Sequence, residues 1–285
     1  MGVPYAEVIG DPVSHSKSPL IHNFWLEKLG IEGDYRSARV QPDDLARYLG
    51  GRRNDPDWRG CSVTMPLKQL VPPHLESLDE LARRVGAANV AVLENGLLRG
   101  YNTDAIGFAE VFSTAARDPQ AGYVARRIDL VGAGGAARAI AAALRGSDVT
   151  IYNRDKAKAD RLSDEFGFGS LNGSSAPLEA LFAAGETDVS GQRCGHVVIN
   201  ASSLGMRGYP PLPVRLDKYP ADTIVLDLVY DPLETPLLRE ARRLGMRAVD
   251  GLELLVAQAR HAFGLFFGAE APREHDAELR GLLTA

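Results

Sequence analysis

Two cysteines among 285 residues, Cys61 and Cys194, leave this chain without a disulfide framework, and no C-x-x-C brings them together. Usage this sparse fits a reducing, cytoplasmic compartment. No apolar run approaches the ~18 residues that a bilayer crossing needs. The opening Met1-Gly-Val-Pro-Tyr-Ala-Glu-Val-Ile9 lacks a basic segment followed by a long apolar one, so neither a membrane nor a secretion signal is expected. Excess basic charge is missing too. Lys and Arg number 32 against 37 Asp and Glu, a formal net charge of −5. Arginine pairs such as Arg83-Arg84 and Arg242-Arg243 are scattered, with no stripe to hold nucleic acid. The six histidines show no H-E-x-x-H or similar ligand spacing, which argues against a metal site. There is no internal repeat and no low-complexity segment. What remains is an ordinary globular balance, 45% apolar and 24% charged, on a chain long enough for two compact units.

Short apolar runs alternate with helical spacing from end to end, which predicts an α/β architecture. The first part reads as a strand over 6–9, a helix over 20–29 stopped by Gly30, and a strand-like segment near 35–40. A helix over 43–49, a strand over 61–64 and a helix over 75–85 follow. Strands 90–93 and 97–99 flank Asn95-Gly96, a tight-hairpin signal. A boundary is expected near 100–104. Beyond it come a helix over 106–116, a strand over 127–131, a glycine loop, a helix over 138–144, and buried strands at 149–152, 197–200 and 224–228. That spacing predicts a doubly wound parallel sheet. The tail, helical over 252–267 and 274–283 with no strand after it, is read as returning to the first unit. The expected division is therefore 1–104 plus 251–285 for one discontinuous domain and 105–250 for the other.

Three constellations carry chemistry. Gly132-x-Gly134-x-x-Ala137 follows a strand and opens a helix: the first Gly permits a tight turn, the second lets backbone approach a pyrophosphate, and Ala137 allows close helix–strand packing. Past the next strand, Asn153-Arg154-Asp155-Lys156-Ala157-Lys158 stands where an NAD enzyme usually carries an acid for the ribose. Arg154 and Lys158 suit a 2′-phosphate, so NADP is the expected coenzyme; an inward Asp155 would favour NAD instead. Ser16 and Ser18 flank a helix start, where Ser18 is expected to cap the free N–H groups, Pro19 to take the first helical position, and a small carboxylate to find a seat. Lys68 after a proline-bent strand end and Asp104 after a glycine-flanked turn suggest a proton-transfer pair. Taken singly, each of these is more often a solvated charge or a plain turn; together they outweigh that reading.

The chain resembles the shikimate dehydrogenase family across nearly its whole length. The matching blocks are Ser-His-Ser16-Lys-Ser18-Pro, Val63-Thr64-Met-Pro-Leu-Lys68, Gly86-Ala-Ala-Asn89, Gly100-Tyr-Asn-Thr-Asp104, Gly132-Ala-Gly-Gly-Ala-Ala-Arg138-Ala, Asn153-Arg154, Asn200-Ala-Ser-Ser-Leu-Gly-Met206, Asp227-Leu-Val-Tyr230-x-Pro with Thr235-Pro-Leu, and Asp250-Gly251 through Gln258-Ala259. The resemblance implies an N-terminal α/β substrate domain completed by C-terminal helices, a Rossmann-like NADP domain, and reversible NADPH-dependent reduction of 3-dehydroshikimate to shikimate in aromatic amino-acid biosynthesis. It implies that Ser16 and Ser18 hold the substrate carboxylate. Thr64, Asn89, Asp104 and Gln258 would contact ring hydroxyls, with Lys68 and Tyr230 in reach. Gly132, Ala133, Gly134, Gly135 and Ala136 would carry the pyrophosphate, and Asn153, Arg154 and Lys158 the ribose phosphate. Ala201, Ser202, Leu228 and Gly251 would lie along the nicotinamide. Lys68 and Asp104 would be the catalytic pair, on a monomer or homodimer. Departures from the family pattern are Ser62 for Asn, Asp155 for Thr, Ser202 for Thr, and Leu254 for Met. A relative acting on quinate or an amino analogue, with NAD or either coenzyme, is the neighbouring alternative; a non-catalytic dinucleotide sensor is the remote one.

Overall fold

A computed structural model of the chain describes residues 2–118, 122–123, 126–168, 174–184 and 195–285. The first strand, β1 (Tyr5–Gly10), is buried throughout and leads to α1 (Ser18–Leu29), which ends on a left-handed Gly30. Then come β2 (Asp34–Arg39), α2 (Leu45–Arg52), β3 (Trp58–Val63), the two-residue β4 (Ser77–Leu78), α3 (Glu80–Val85) and the hairpin of β5 (Val90–Glu94) with β6 (Leu97–Tyr101). Asn95 and Gly96 both take positive φ, 51° and 77°, the two-residue turn whose twist suits antiparallel strands.

These strands form one mixed sheet in the order β2-β1-β3-β5-β6-β4. β1 and β3 are parallel, while β5 runs against β3 and β6 against β5. One edge of the sheet therefore gathers the ends of β1, β3 and β6 and the beginning of β5. Alternation along β1 sends Tyr5 and Ile9 into a core with Leu45, Trp58, Val63 and Leu67, and Ala6 and Val8 into another with Tyr35, Val90 and Phe266. Burying each large apolar side chain contributes about 2 kcal/mol, so both faces anchor that edge.

The helix expected over 75–85 is only half present. Glu76 turns its carboxylate to the Leu98 N–H at 2.6 Å, Ser77 and Leu78 pair with β6, and the Asp79 side chain accepts from the Ala82 N–H at 2.7 Å, so the helix starts at Glu80. Similarly, the segment expected to be helical over 43–49 opens as a short 3-10 turn, Pro42–Asp44, before α2.

The chain continues through α4 (Thr103–Ala116), a minimal hairpin of β7 (Arg117–Asp118) and β8 (Gly122–Tyr123), then β9 (Arg126–Val131), α5 (Gly135–Ala143), β10 (Asp148–Asn153), α6 (Lys156–Phe166), β11 (Ser174–Pro177), β12 (Gly195–Asn200), β13 (Ile224–Asp227), α7 (Pro236–Arg243) and β14 (Arg247–Val249). It closes with α8 (Gly251–Phe267) and α9 (Asp276–Thr284). The second sheet is wholly parallel in the order β11-β10-β9-β12-β13-β14. Its order reverses between β9 and β12, the place where a doubly wound sheet opens a crevice at its strand ends. The edge strands β11 and β14 were not expected from sequence: Ser-Ser-Ala-Pro and Arg-Ala-Val are too short to show an apolar run, and backbone pairing recruits them with Ala176 and Ala248 packed against the core.

By contacts the chain divides into two compact units, Met1–Gly107 with Leu255–Ala285, and Phe108–Leu254. Cys61 is free and buried in β3; Cys194 lies outside the described residues.

Candidate active site

In the first unit the sheet edge assembles the expected groups. β3 ends just before Thr64, whose N–H donates to the Ile9 carbonyl at 2.9 Å, and a 3-10 turn, Leu67–Gln69, then lifts Lys68. Its backbone is pinned too, since the Lys68 carbonyl accepts the Ala88 N–H at 3.0 Å. From the opposite side β6 delivers α4, and Asp104 falls in the first turn of that helix. A carboxylate at this end is favoured by the helix macrodipole, by about 0.3–1 kcal/mol. The result is an ion pair: Lys68 Nζ stands 2.5 Å from Asp104 Oδ2. Both side chains keep some exposure, 18% and 13%, so the pair is shielded yet reachable.

Asn89, 2% exposed, organises the rest. Its Nδ2 donates to Asp104 Oδ1 at 3.0 Å, Thr103 Oγ1 at 2.9 Å and Gln258 Oε1 at 3.3 Å, while its Oδ1 accepts the Thr103 N–H at 2.7 Å. Each Asp104 oxygen thus has its own donor, which aims the carboxylate. Gln258 arrives on α8 because Gly107 lets that helix come close: a Cβ at Gly107 would stand 2.7 Å from the Gln258 nitrogen. Asn102 caps α4 through the Ala105 N–H at 3.1 Å and reaches the Ala87 carbonyl at 2.9 Å. Asn102, Thr103 and Gly107 had no role in the sequence reading; the cap signal, an Asn just ahead of an apolar helix, was present for Asn102.

The serine pair differs from expectation. Lys17 takes the N-cap position, Ser18 and Pro19 are the first helical residues, and the cap has no side-chain hydrogen bond. The Ser16 hydroxyl, not that of Ser18, accepts a backbone N–H, from Ser18 at 3.3 Å. The helix thus starts one position earlier than expected, and the Lys17 side chain turns away from the cap to donate from Nζ to the distant Leu283 carbonyl at 2.8 Å. Ser18 is buried and Ser16 partly exposed. The Ser18 N–H is taken by Ser16 and Pro19 has none, so two of the donors expected at this helix start are not on offer to an anion.

In the second unit the site is made of backbone. Gly132 has φ +118°, and a Cβ there would lie 2.7 Å from the Ala201 carbonyl oxygen, so only glycine permits the approach. The Ala201 N–H donates to the Val131 carbonyl at 2.8 Å and the Leu228 N–H to the Asn200 carbonyl at 3.0 Å. At Gly251 an added Cβ would meet the Leu228 carbonyl oxygen at 2.4 Å. Gly132, Ala201, Leu228 and Gly251 are thereby neighbours at the strand ends. Gly134 is the N-cap of α5 and no side chain caps that helix, leaving the N–H groups of its first turn, at Gly135 and Ala136, for an anion. Nothing lies within 4 Å of a Cβ built at Gly134. This open, positively polarised cradle, reached through Ala133, fits a pyrophosphate.

At the end of β10, Asp155 is occupied. It is the N-cap of α6, accepting the Lys158 N–H at 3.4 Å, and Lys158 Nζ lies 4.0 Å from its carboxylate. Asn153 Nδ2 donates to the Asp155 carbonyl at 2.9 Å. Arg154 is exposed and without a partner among the described residues. A cap-bound acid beside a free guanidinium suits a phosphate better than a bare ribose. Ser202 is held by Asn200 Oδ1, through both its N–H at 3.1 Å and its Oγ at 2.7 Å. Tyr230 belongs to this unit, not to the one that holds the other expected substrate residues; burial raises its phenol pKa. Among the described residues no group of His, Cys, Asp and Glu is arranged to hold a metal ion, and no helix is long and apolar enough to cross a membrane.

Comparison with known proteins relates the chain as a whole to one family. The model of the shikimate dehydrogenase substrate binding domain matches residues 8–91. Shikimate dehydrogenase (NADP(+)) of Sphingopyxis alaskensis is 47% identical over 99% of this chain and 97% of that protein. The enzyme of the same name from Mesorhizobium japonicum is 40% identical over 98% of this chain and 95% of its own. Among solved structures, a shikimate 5-dehydrogenase of Thermus thermophilus, in complex with NADP(H) and shikimate, is 33% identical with a TM-score of 0.82, covering 98% of this chain and 99% of that one. With near-complete coverage at this level of identity, the chain belongs to the shikimate dehydrogenase family.

Proposed function

We propose that this protein is an NADP-dependent shikimate dehydrogenase, reducing the C3 ketone of 3-dehydroshikimate to the alcohol of shikimate, and that its first unit binds the substrate and its second the coenzyme. The observation that carries the reading is the Lys68–Asp104 pair, 2.5 Å apart and aimed by Asn89. NADPH, when bound, supplies the hydride. As hydride reaches the ketone carbon, its C–O π electrons move to oxygen, and the Lys68 ammonium faces that growing negative charge. A proton then passes from Nζ to the oxygen, completing the alcohol. Asp104 orients the ammonium through its Oδ2 and remains an anion, so the pair acts as one coupled unit. Lys68 recovers its proton from solvent, to which it is partly open. In the reverse direction the same nitrogen takes the hydroxyl proton as hydride leaves for the coenzyme.

Ser16 and Ser18 would seat the substrate carboxylate at the start of α1, while Thr64, Asn89 and Gln258 read the ring hydroxyls. Tyr230 is assigned to the substrate as well. Arg154, with Lys158, would grip the 2′-phosphate, and Asn153 holds their turn in shape. Catalytic efficiencies for shikimate and quinate, each with NADP and NAD, test the reading. Shikimate with NADP should exceed every other combination. Negligible NADP-linked turnover of shikimate would defeat it.

A further inference from the structure

Asp227, the last residue of β13, is 1% exposed, and among the described residues no cation pairs with it. Burial pushes its carboxyl up to about 6. An unpaired buried carboxylate costs stability, so its hydrogen bonds matter. Asp227 Oδ2 accepts from Thr235 Oγ1 at 2.7 Å; Oδ1 accepts from Asn200 Nδ2 at 2.8 Å and from the Val229 N–H at 3.1 Å. Thr235 and Asn200 are themselves fully buried. Thr235 is the N-cap of α7, accepting the Leu238 N–H at 3.2 Å. Asn200 donates to the Leu204 carbonyl at 2.8 Å and holds Ser202 through its Oδ1. A cavity of about 10 Å³, room for one water, borders Asp227, Leu228 and Asp250.

A single carboxylate therefore ties three segments together: the turn after β12, the turn after β13, and the start of α7. The first two carry Ala201, Ser202 and Leu228. We propose that Asp227 is a positioning residue that sets these two turns for the nicotinamide end of the coenzyme, acting through Asn200 and the Val229 N–H. The inference rests on the NADP reading above. It is separable from the adenosine end, because Asn153, Arg154 and Lys158 sit on β10, α6 and the turn joining them, and share no hydrogen bond with Asp227.

The test compares two ligands on Asp227→Asn: NADPH, followed by its fluorescence, and 2′,5′-ADP, which has the ribose phosphate but no nicotinamide. An amide turns one acceptor into a donor against donors. NADPH should bind about tenfold more weakly, ~1.4 kcal/mol, with 2′,5′-ADP affinity unchanged. Should that variant fail to fold, Thr235→Val removes one donor at nearly constant volume and should weaken NADPH alone by about threefold, the scale of one modest hydrogen bond. Thr235→Ser should restore it. Equal losses for both ligands, or none, would overturn the proposal. A wild-type protein that binds neither ligand would instead sink the coenzyme reading, and this inference with it.

Discussion

The candidate site of the first unit is built from side chains, while that of the second is built from backbone. Around Lys68 the working atoms are an ammonium, a carboxylate and two side-chain amides, each held by hydrogen bonds of 2.5–3.3 Å. Around Gly132 they are N–H groups of a helix start and carbonyls of strand ends, brought close because glycine has no Cβ. The supporting residues differ accordingly. In the first unit the reactive groups and their supports are the same residues, and Asn89 both positions Asp104 and is expected to touch substrate. In the second, buried Asp227 and Asn200 brace turns whose backbone is proposed to meet the coenzyme. A side-chain site is broken by removing one atom group; a backbone site is broken by moving a turn.

Lys68→Ala gives the sharpest contrast. It should lower kcat about a thousandfold, the middle of the range for a lost general acid, with substrate and NADPH affinity changed by only a few-fold. Steady-state kinetics and binding titrations check this. Arg154→Ala should act in the opposite sense: NADPH affinity falls about thirtyfold, as for a charge-assisted contact, NADH affinity hardly changes, and kcat at saturation is kept. Parallel losses for the two coenzymes would remove Arg154 from the phosphate site.

The units also differ in their buried titratable groups. His22, stacked on Tyr35 with centroids 4.0 Å apart, is held down to about 3 by burial. It stays neutral in the fold while the unfolded chain takes up a proton below about 6.5. Stability from this group is thus full above that value and is lost as pH falls, by about 2 kcal/mol at pH 5. Asp129 has the opposite sign. Burial pushes it up to about 6 despite the Tyr219 hydroxyl 2.6 Å away, so the folded state binds the extra proton. Its contribution rises as pH falls from 7 to 5, by about 1 kcal/mol, and that gain is gone above 6. Urea denaturation at pH 5 and pH 8 should show His22→Phe gaining on wild type in acid, and Asp129→Asn losing to it. The same direction of change in both variants would erase the contrast.

How much of this was legible follows the same division. Ser16, Lys68, Asp104 and the glycine turn stand out in the sequence because their chemistry is unusual at such positions, and the alternation of short apolar runs with helical spacing foretold both sheets. Asn102, Thr103 and Gly107 did not stand out, because a glycine inside a helix acquires meaning only when α8 packs on it. Asp227 reads as an ordinary strand end until burial and Asn200 give it partners. The false helix over 75–78 has a like cause. Its composition is helical enough, but Glu76 is captured by the Leu98 N–H and Arg53, contacts with distant parts of the chain. Asp155, which left the coenzyme open in the sequence, is the N-cap of α6 and accepts from the N–H three residues on, a contact that composition alone does not display.

The central claim, that Lys68 and Asp104 work as one unit, is tested most directly by a double-mutant cycle on kcat for 3-dehydroshikimate reduction, using Lys68→Ala, Asp104→Asn and the two combined. Groups that share one task do not add when removed together. The combined variant should be no slower than the worse single one. Losses that multiply, or a Lys68→Ala enzyme that turns over normally, would contradict the account.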